Sequence, residues 1–220
     1  MAVGDPGAGS RPAGAEPRGQ QRSPRVALVG DSLLDGAAAD VRRELTADGW
    51  SVTVDAVVGR GLLNRVPGDD ALDVLRDLDD RHEAPDVLVV ELGTNDLTFP
   101  AGYEPLVAEV MDHSAAACIV WVSTQGDWVG RSERLVELNE ALRRQAAGRP
   151  WVAIADWEPV IGERPSLHAA DGLHLTPRGY RRFADLIADT VDDHCAADGE
   201  PLRLRRSLAP VGASTWAGPG

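Results

Sequence analysis

Short apolar runs alternate with helical patterns along the central part of the chain. The runs are rich in Val and bounded by turn residues, which is typical of strands buried on both faces of a sheet. They predict five strands, at residues 26–29, 52–58, 86–91, 118–123 and 152–155.

Between these runs, apolar residues recur at the spacing of amphipathic helices. The five predicted helices are marked by Val41 and Leu45, by Leu72, Leu75 and Leu78, by Leu106, Val107 and Val110, by Leu135, Leu138 and Leu142, and by Phe183, Leu186, Ile187 and Val191. Thr176 and Pro177 fit the N-cap and the first residue of the last helix. The alternation predicts an α/β fold, a three-layer α/β/α flavodoxin-like sandwich with a five-stranded parallel sheet.

The length of 220 residues suits one domain of this type, which we place at residues 25–196. Residues 1–24 and 197–220 are rich in Gly, Pro, Ala, Ser and Arg and show no periodicity. We therefore expect a disordered N-terminal tail and a flexible C-terminal tail.

A net charge of −13 argues against nucleic acid or an anionic membrane as the main partner, because both bind basic surfaces. No apolar run approaches membrane-spanning length. The first 24 residues lack the apolar core of a secretory signal, so we expect a cytoplasmic protein, although a chain without its leader would look the same. No pattern indicates an oligomeric state.

Two cysteines, Cys118 and Cys195, are too few for a disulfide framework or a zinc site of usual ligand number. Cys118 lies in an apolar run and is expected to be a buried small side chain. We interpret both cysteines as structural and unreactive.

Three motifs carry candidate chemistry. Gly30-Asp31-Ser32 and Gly93-Thr94-Asn95-Asp96 each follow a predicted strand, and Asp171-Gly172-Leu173-His174 precedes the last helix. Because ligands of parallel sheets bind beyond the carboxyl ends of the strands, these motifs are placed to form one site. A serine, a histidine, an aspartate and an amide donor are the parts needed for nucleophilic attack on an acyl group.

Each member of this set has an alternative role. Ser32 is the candidate nucleophile, but either it or Asp31 could simply cap the following helix. His174 is the candidate base and Asp171 its orienting partner, but they could equally form an Asx turn and a plain loop residue.

Three groups are candidates for an oxyanion hole: the N–H groups of Ser32 and Gly59, and the side-chain amide of Asn95. Asn95 could instead be a turn residue, Gly59 could serve a turn that requires positive φ, and Gly61 is an alternative to Gly59. The candidate substrate contacts are Asp31, Arg60, Trp128 and His168. For Arg60 the alternative is an ion pair with an acidic residue, and for Trp128 it is core packing.

These motifs resemble those of the SGNH hydrolases, also called GDSL-type esterases, over residues 25–194. The first block matches at Gly30-Asp31-Ser32, the second loosely at residues 55–60, and the third and fifth closely at residues 93–96 and 171–174. The resemblance implies a serine esterase that works through an acyl-enzyme without metal or cofactor. It implies Ser32 as nucleophile, His174 as base, Asp171 as its orienter, and Ser32, Gly59 and Asn95 as the oxyanion hole.

A finer similarity involves residues 58–60, 128–139, 155–157 and 171–180. These segments are similar to SGNH domains attached to membrane acyltransferases that O-acetylate cell-wall glycans. No membrane domain accompanies them in this sequence. The leading hypothesis is hydrolysis of a small-molecule or carbohydrate-borne ester. The alternatives are acyl transfer to an alcohol or amine and a non-catalytic ligand-binding module.

Overall fold

The computed structural model describes residues 23–63, 70–80, 84–97, 100–125 and 132–196. The predicted tails lie outside the described residues, except for Ser23 and Pro24. Within this described part, no helix is long and apolar enough to span a membrane.

Five parallel strands form one sheet, as predicted. They are β1 (Arg25–Gly30), β2 (Ser51–Ala56), β3 (Val87–Glu91), β4 (Cys118–Val122) and β5 (Val152–Ala155). Their order across the sheet is β2-β1-β3-β4-β5. This is the flavodoxin-like order, in which the chain reverses direction across the sheet next to β1. The predicted fold class is confirmed.

Helices cover both faces of the sheet. Their bounds are α1 (Ser32–Ala47), α2 (Ala71–Asp80), α3 (Pro100–His113), α4 (Ser132–Ala146), α5 (Trp157–Gly162) and α6 (Pro177–Cys195), with a 3₁₀ turn at Pro165–Leu167. Apolar residues of α1, α5 and α6 form the core on one face, and those of α2, α3 and α4 form the core on the other. The sequence pattern missed α5 and the 3₁₀ turn, because one or two helical turns are too short to show a period.

The expectation that all five strands are buried on both faces is wrong for β2. This strand lies at the edge of the sheet, and Ser51 and Thr53 are exposed. It also ends at Ala56, two residues earlier than predicted, and the side chain of Val58 is 67% exposed. An edge strand has only one neighbour, which a Val-rich sequence alone does not reveal.

Packing of α1 against α6 brings the two ends of the domain together. A Cβ atom on Gly36 would lie 2.3 Å from the ring of Tyr180, so only glycine permits this close approach. At the start of α6, the side chain of Thr176 accepts the N–H of Gly179, which confirms the predicted N-cap. The segment that carries His174 is therefore fixed beside the beginning of α1.

Cys118 and Cys195 form a disulfide across 77 residues. It joins the start of β4 to the end of α6, at the end of the sheet opposite to the predicted site. Cys118 is buried, as expected, but the interpretation of it as a small apolar side chain is corrected, because it is bonded to Cys195. The pairing depends on how α6 packs on β4.

Candidate active site

A serine and a histidine that are 142 residues apart meet at the carboxyl edge of the sheet. Ser32 is the first residue of α1, and its Oγ lies 3.2 Å from Nε2 of His174. Nδ1 of His174 lies 2.7 Å from Oδ2 of Asp171. This geometry lets Ser32 pass its proton to an imidazole that a carboxylate holds in place.

Asp171 orients His174 through its backbone as well as its ring. Oδ1 of Asp171 accepts the N–H groups of Leu173 and His174, at 3.0 and 2.9 Å, so the Asx-type turn is present in addition to the ring contact. The hydrogen bond from His174, reinforced by the two N–H groups, lowers the pKa of Asp171 to about 2. Its side chain is 53% exposed, so water screens this charge, but the carboxylate stays ionised at neutral pH.

The N-terminus of α1 leaves one N–H group for substrate. Asp31 caps the helix, with Oδ1 accepting the N–H of Leu33 at 2.8 Å. Oε2 of Glu91 accepts the N–H groups of Asp31 and Leu34, at 3.1 and 3.3 Å.

Among the described residues, the N–H of Ser32 has no acceptor. An oxyanion formed at Ser32 would therefore meet an unpaired donor at a helix N-terminus. Asp31 as cap and Ser32 as candidate nucleophile are thus compatible roles.

Asn95 connects the serine turn to the turn after β2. Its Nδ2 donates to Oδ2 of Asp31 and to the carbonyl of Arg60, each at 2.9 Å. Both amide hydrogens are engaged, so an oxyanion would have to draw one of them away from Asp31 or Arg60. Asn95 therefore lies beside Ser32, as a candidate donor and as a structural clamp.

Gly59 and Gly61 serve different needs in the turn after β2. Gly59 has φ of +84°, a backbone conformation that glycine adopts without strain. A Cβ on Gly61 would lie 2.4 Å from Oδ1 of Asp96, whose carboxylate accepts the N–H groups of Leu62 and Leu63. Gly61 thus permits the contact that holds this turn against the loop after β3, and Gly59 remains the candidate donor.

Two of the predicted substrate contacts are buried. The guanidinium of Arg60, 1% exposed, donates to the carboxylate and the carbonyl of Asp55, both at 2.8 Å. Asp31 is fully buried beneath the site. Arg60 therefore forms an ion pair with an acidic residue, and Asp31 caps α1. Both are the alternative roles that the sequence analysis gave for these residues. Neither arrangement favours direct contact with substrate, because each buried group would have to give up its hydrogen-bond partners to reach it.

His168 supports the segment that carries His174. Its Nε2 lies 2.9 Å from Oε1 of Gln125, while Nε2 of Gln125 donates to the carbonyl of Leu173 at 2.7 Å. Gln125 is fully buried, so this network ties the residue next to His174 to the end of β4. Trp128, the other predicted substrate contact, lies outside the described residues.

Sequence reasoning missed Glu91 and Gln125. The sequence did indicate Glu91, because it is an acidic residue at the end of an apolar run that forms a strand. A carboxyl group in that position is buried and needs hydrogen-bond partners. Gln125 had no signal, because its two partners lie more than 40 residues away.

We expect Asn95→Ala to lower kcat by about 10²–10³-fold, because it removes one candidate oxyanion donor. It should also lower Tm by a few degrees, since two partly buried hydrogen bonds are lost. Asn139→Ala is the control for lost side-chain hydrogen bonds, because Asn139 accepts the N–H and the hydroxyl of Thr124 and donates to the carbonyl of that residue. If both variants lose the same stability and neither loses kcat, Asn95 acts only as a clamp.

The chain is similar to a known enzyme family. The sequence profile of the GDSL-like Lipase/Acylhydrolase family matches residues 28–182, which include Ser32, Asn95, Asp171 and His174. A curated relative, "Putative peptidoglycan O-acetyltransferase YrhL" of Bacillus subtilis (strain 168), is 26% identical over 168 residues. That match covers 76% of this chain but only 23% of the relative, so the chain spans about a quarter of that protein.

Solved structures share the fold. The C-terminal catalytic domain of peptidoglycan O-acetyltransferase A of Streptococcus pneumoniae, solved with a methylsulfonyl adduct, superposes with a TM-score of 0.67 at 20% identity. The match covers 83% of this chain and 98% of that domain. "A putative SGNH hydrolase" from Slackia heliotrinireducens has a TM-score of 0.62 at 23% identity, covering 77% and 99% of the two chains.

Proposed function

The chain belongs to the GDSL-like lipase/acylhydrolase family of SGNH enzymes, and on that premise we propose that it is a serine esterase acting through an acyl-enzyme. Its substrate in this proposal is a small-molecule or carbohydrate-borne carboxylic ester. The observation that carries the proposal is the chain of contacts from Ser32 through His174 to Asp171, next to the N–H of Ser32, which has no acceptor in the described part of the chain.

The geometry supports a two-step reaction. Oγ of Ser32 attacks the acyl carbon while its proton moves to Nε2 of His174, and the carbonyl oxygen becomes an oxyanion beside the N–H of Ser32. Collapse of this intermediate breaks the ester bond, and His174 returns the proton to the leaving alcohol. Water then attacks the acyl-enzyme by the same route and releases the acid, with Asp171 stabilising the imidazolium in both steps.

Acyl transfer is the second candidate. It is favoured by the two peptidoglycan O-acetyltransferases among the similar proteins, one related in sequence and one in fold. In that reaction a sugar hydroxyl replaces water as the acceptor of the acyl group. The choice between the two depends on whether an acceptor excludes water from the acyl-enzyme.

Product partitioning tests both candidates. The protein is incubated with an aryl acetate and increasing amounts of an N-acetylglucosamine oligomer, and free acetate and O-acetylated oligomer are measured. Esterase activity predicts that free acetate accounts for the released aryl alcohol at every oligomer concentration. A growing share of O-acetylated oligomer would establish transfer instead. If the aryl acetate is not turned over and a fluorophosphonate does not label Ser32, both candidates fail and the non-catalytic module gains support.

A further inference from the structure

Glu91 lies directly beneath the turn that presents Ser32. It is the last residue of β3 and is 3% exposed. Its Oε2 accepts two N–H groups from the start of α1, and a Cβ on Gly30 would lie 3.0 Å from the same oxygen. The carboxyl group thus fills the space between β3 and the serine turn.

The carboxyl group of Asp31, also buried, lies close to that of Glu91, whose Oε2 accepts the N–H of Asp31. Two ionised carboxylates are both acceptors, so a hydrogen bond between them needs one proton. Each oxygen of Asp31 accepts a donor, Oδ1 the N–H of Leu33 and Oδ2 the amide of Asn95, which favours the ionised form of Asp31. Both N–H groups that bind the carboxyl group of Glu91 instead share one oxygen, Oε2. The shared proton is therefore assigned to Glu91.

Burial, and next the charge of Asp31, raise the pKa of Glu91 well above its ordinary range. Burial also raises the pKa of Asp31, to about 6. The pair then carries a single negative charge at neutral pH. This agrees with the proton count that the hydrogen bonds require.

Other charged and titratable groups surround the pair. Asp96 faces it from the loop after β3, Tyr103 from α3, and His174 from the catalytic segment. The guanidinium of Arg60 donates to the carbonyl of Gly30 at 3.5 Å and forms an ion pair with Asp55. Of these, His174 favours the ionised form of Asp31, and Asp96 opposes it.

We propose that Glu91 is a positioning residue that acts in its neutral form, sharing its proton with Asp31 beneath the nucleophile. This inference rests on the proposed function. Glu91 accepts the N–H groups of Asp31 and Leu34. It thereby holds the first turn of α1 in the position at which the N–H of Ser32 faces the oxyanion. Its proton keeps Asp31 in place as the acceptor for Asn95. A second negative charge at this position would oppose the oxyanion, so the neutral form of Glu91 serves the reaction.

Two substitutions of Glu91 distinguish a neutral group from an ionised one. Glu91→Gln has the shape and the donor of a neutral carboxyl group, so we expect kcat/KM per fluorophosphonate-reactive site to stay close to wild type. Glu91→Ala loses the positioning and should lower kcat by about 10²-fold, with a smaller change in KM.

Glu104→Gln is the surface control. Glu104 pairs with Arg144 on the exposed side of α3, so this variant should leave activity unchanged. Equal losses in the Gln and Ala variants of Glu91 would show that an anion is needed and overturn the proposal, and so would wild-type activity in both.

A readout independent of activity tests the proton itself. In infrared spectra at neutral pH, wild type should show a neutral carboxyl band that is absent from Glu91→Gln. Because folding raises the pKa of Glu91, the folded state binds more protons, and the free energy of unfolding falls as pH rises above the ordinary range. Glu91→Gln lacks this titration, so its Tm relative to wild type should rise as the pH increases above the ordinary pKa range of a glutamate carboxyl group. A constant Tm difference and no lost band would refute proton sharing, even if the protein proved inactive as an esterase.

Discussion

Ser32→Ala is expected to lower kcat/KM on a chromogenic acetate ester by about 10⁴–10⁶-fold, because it removes the hydroxyl that forms the acyl-enzyme in the proposed reaction. The N–H of residue 32 and the rest of the site remain, so weak residual catalysis above the water reaction should persist. Steady-state kinetics with wild type and variant, both standardised by protein concentration, measure the effect.

The variant should be as stable as wild type, since the hydroxyl of Ser32 contacts only His174 among the described side chains. His174→Ala should be about as damaging as Ser32→Ala, and the double variant should lose little more, because the groups act as one unit. Activity of Ser32→Ala comparable to wild type would remove the basis of the proposed function. Additive losses in the double variant would show that His174 acts through something other than Ser32.

Reduction of the Cys118–Cys195 bridge is expected to lower Tm by about 10–15 °C. The bridge closes a loop of 77 residues, and constraining such a loop in the unfolded chain contributes about 4–5 kcal/mol in the chain-entropy treatment. Thermal unfolding with and without a reductant measures the change. Below the transition kcat should not change, because the bridge lies at the opposite end of the sheet from Ser32.

The control is the double variant Cys118→Ala with Cys195→Ala. It should melt near reduced wild type and should not respond to reductant. An unchanged Tm of wild type on reduction would contradict a stabilising role for the bridge. Alanine is preferred to serine because both sites are buried and a hydroxyl there would need a partner.

The same bridge bears on the compartment in which the protein works. The cytoplasmic location expected from the sequence stays a prediction, whereas stable disulfides are typical of oxidising compartments. Alkylation of free thiols in protein taken directly from its native cells tests this. Two blocked thiols would agree with the cytoplasm, and two protected cysteines would favour an oxidising compartment.

Local sequence patterns were sufficient for most of the fold. Strands β1, β3, β4 and β5 were predicted within about two residues at either end, because short Val-rich runs bounded by turns have few alternatives in an α/β chain. The N-cap at Thr176 was also predictable, since capping depends on a few adjacent residues. The same applies to the position of Gly30-Asp31-Ser32 at the end of a strand.

The identity of the candidate triad followed from motifs, but its geometry did not. That Ser32 and His174 touch is a result of α1 packing on α6 beside β1, and no pattern within either segment states it. The burial of Arg60 on Asp55, the carboxyl pair of Asp31 and Glu91, and the edge position of β2 likewise depend on neighbours from other elements.

Sequence alone thus determined which elements form and which chemical groups stand at their ends, because these follow from periodicity and turn chemistry over a few residues. The tertiary structure alone decided which groups are buried together, which of them share a proton and which cysteines are joined. The physical reason is that desolvation and pairing energies depend on distances in space, and those distances join residues that the chain separates by tens of positions or more.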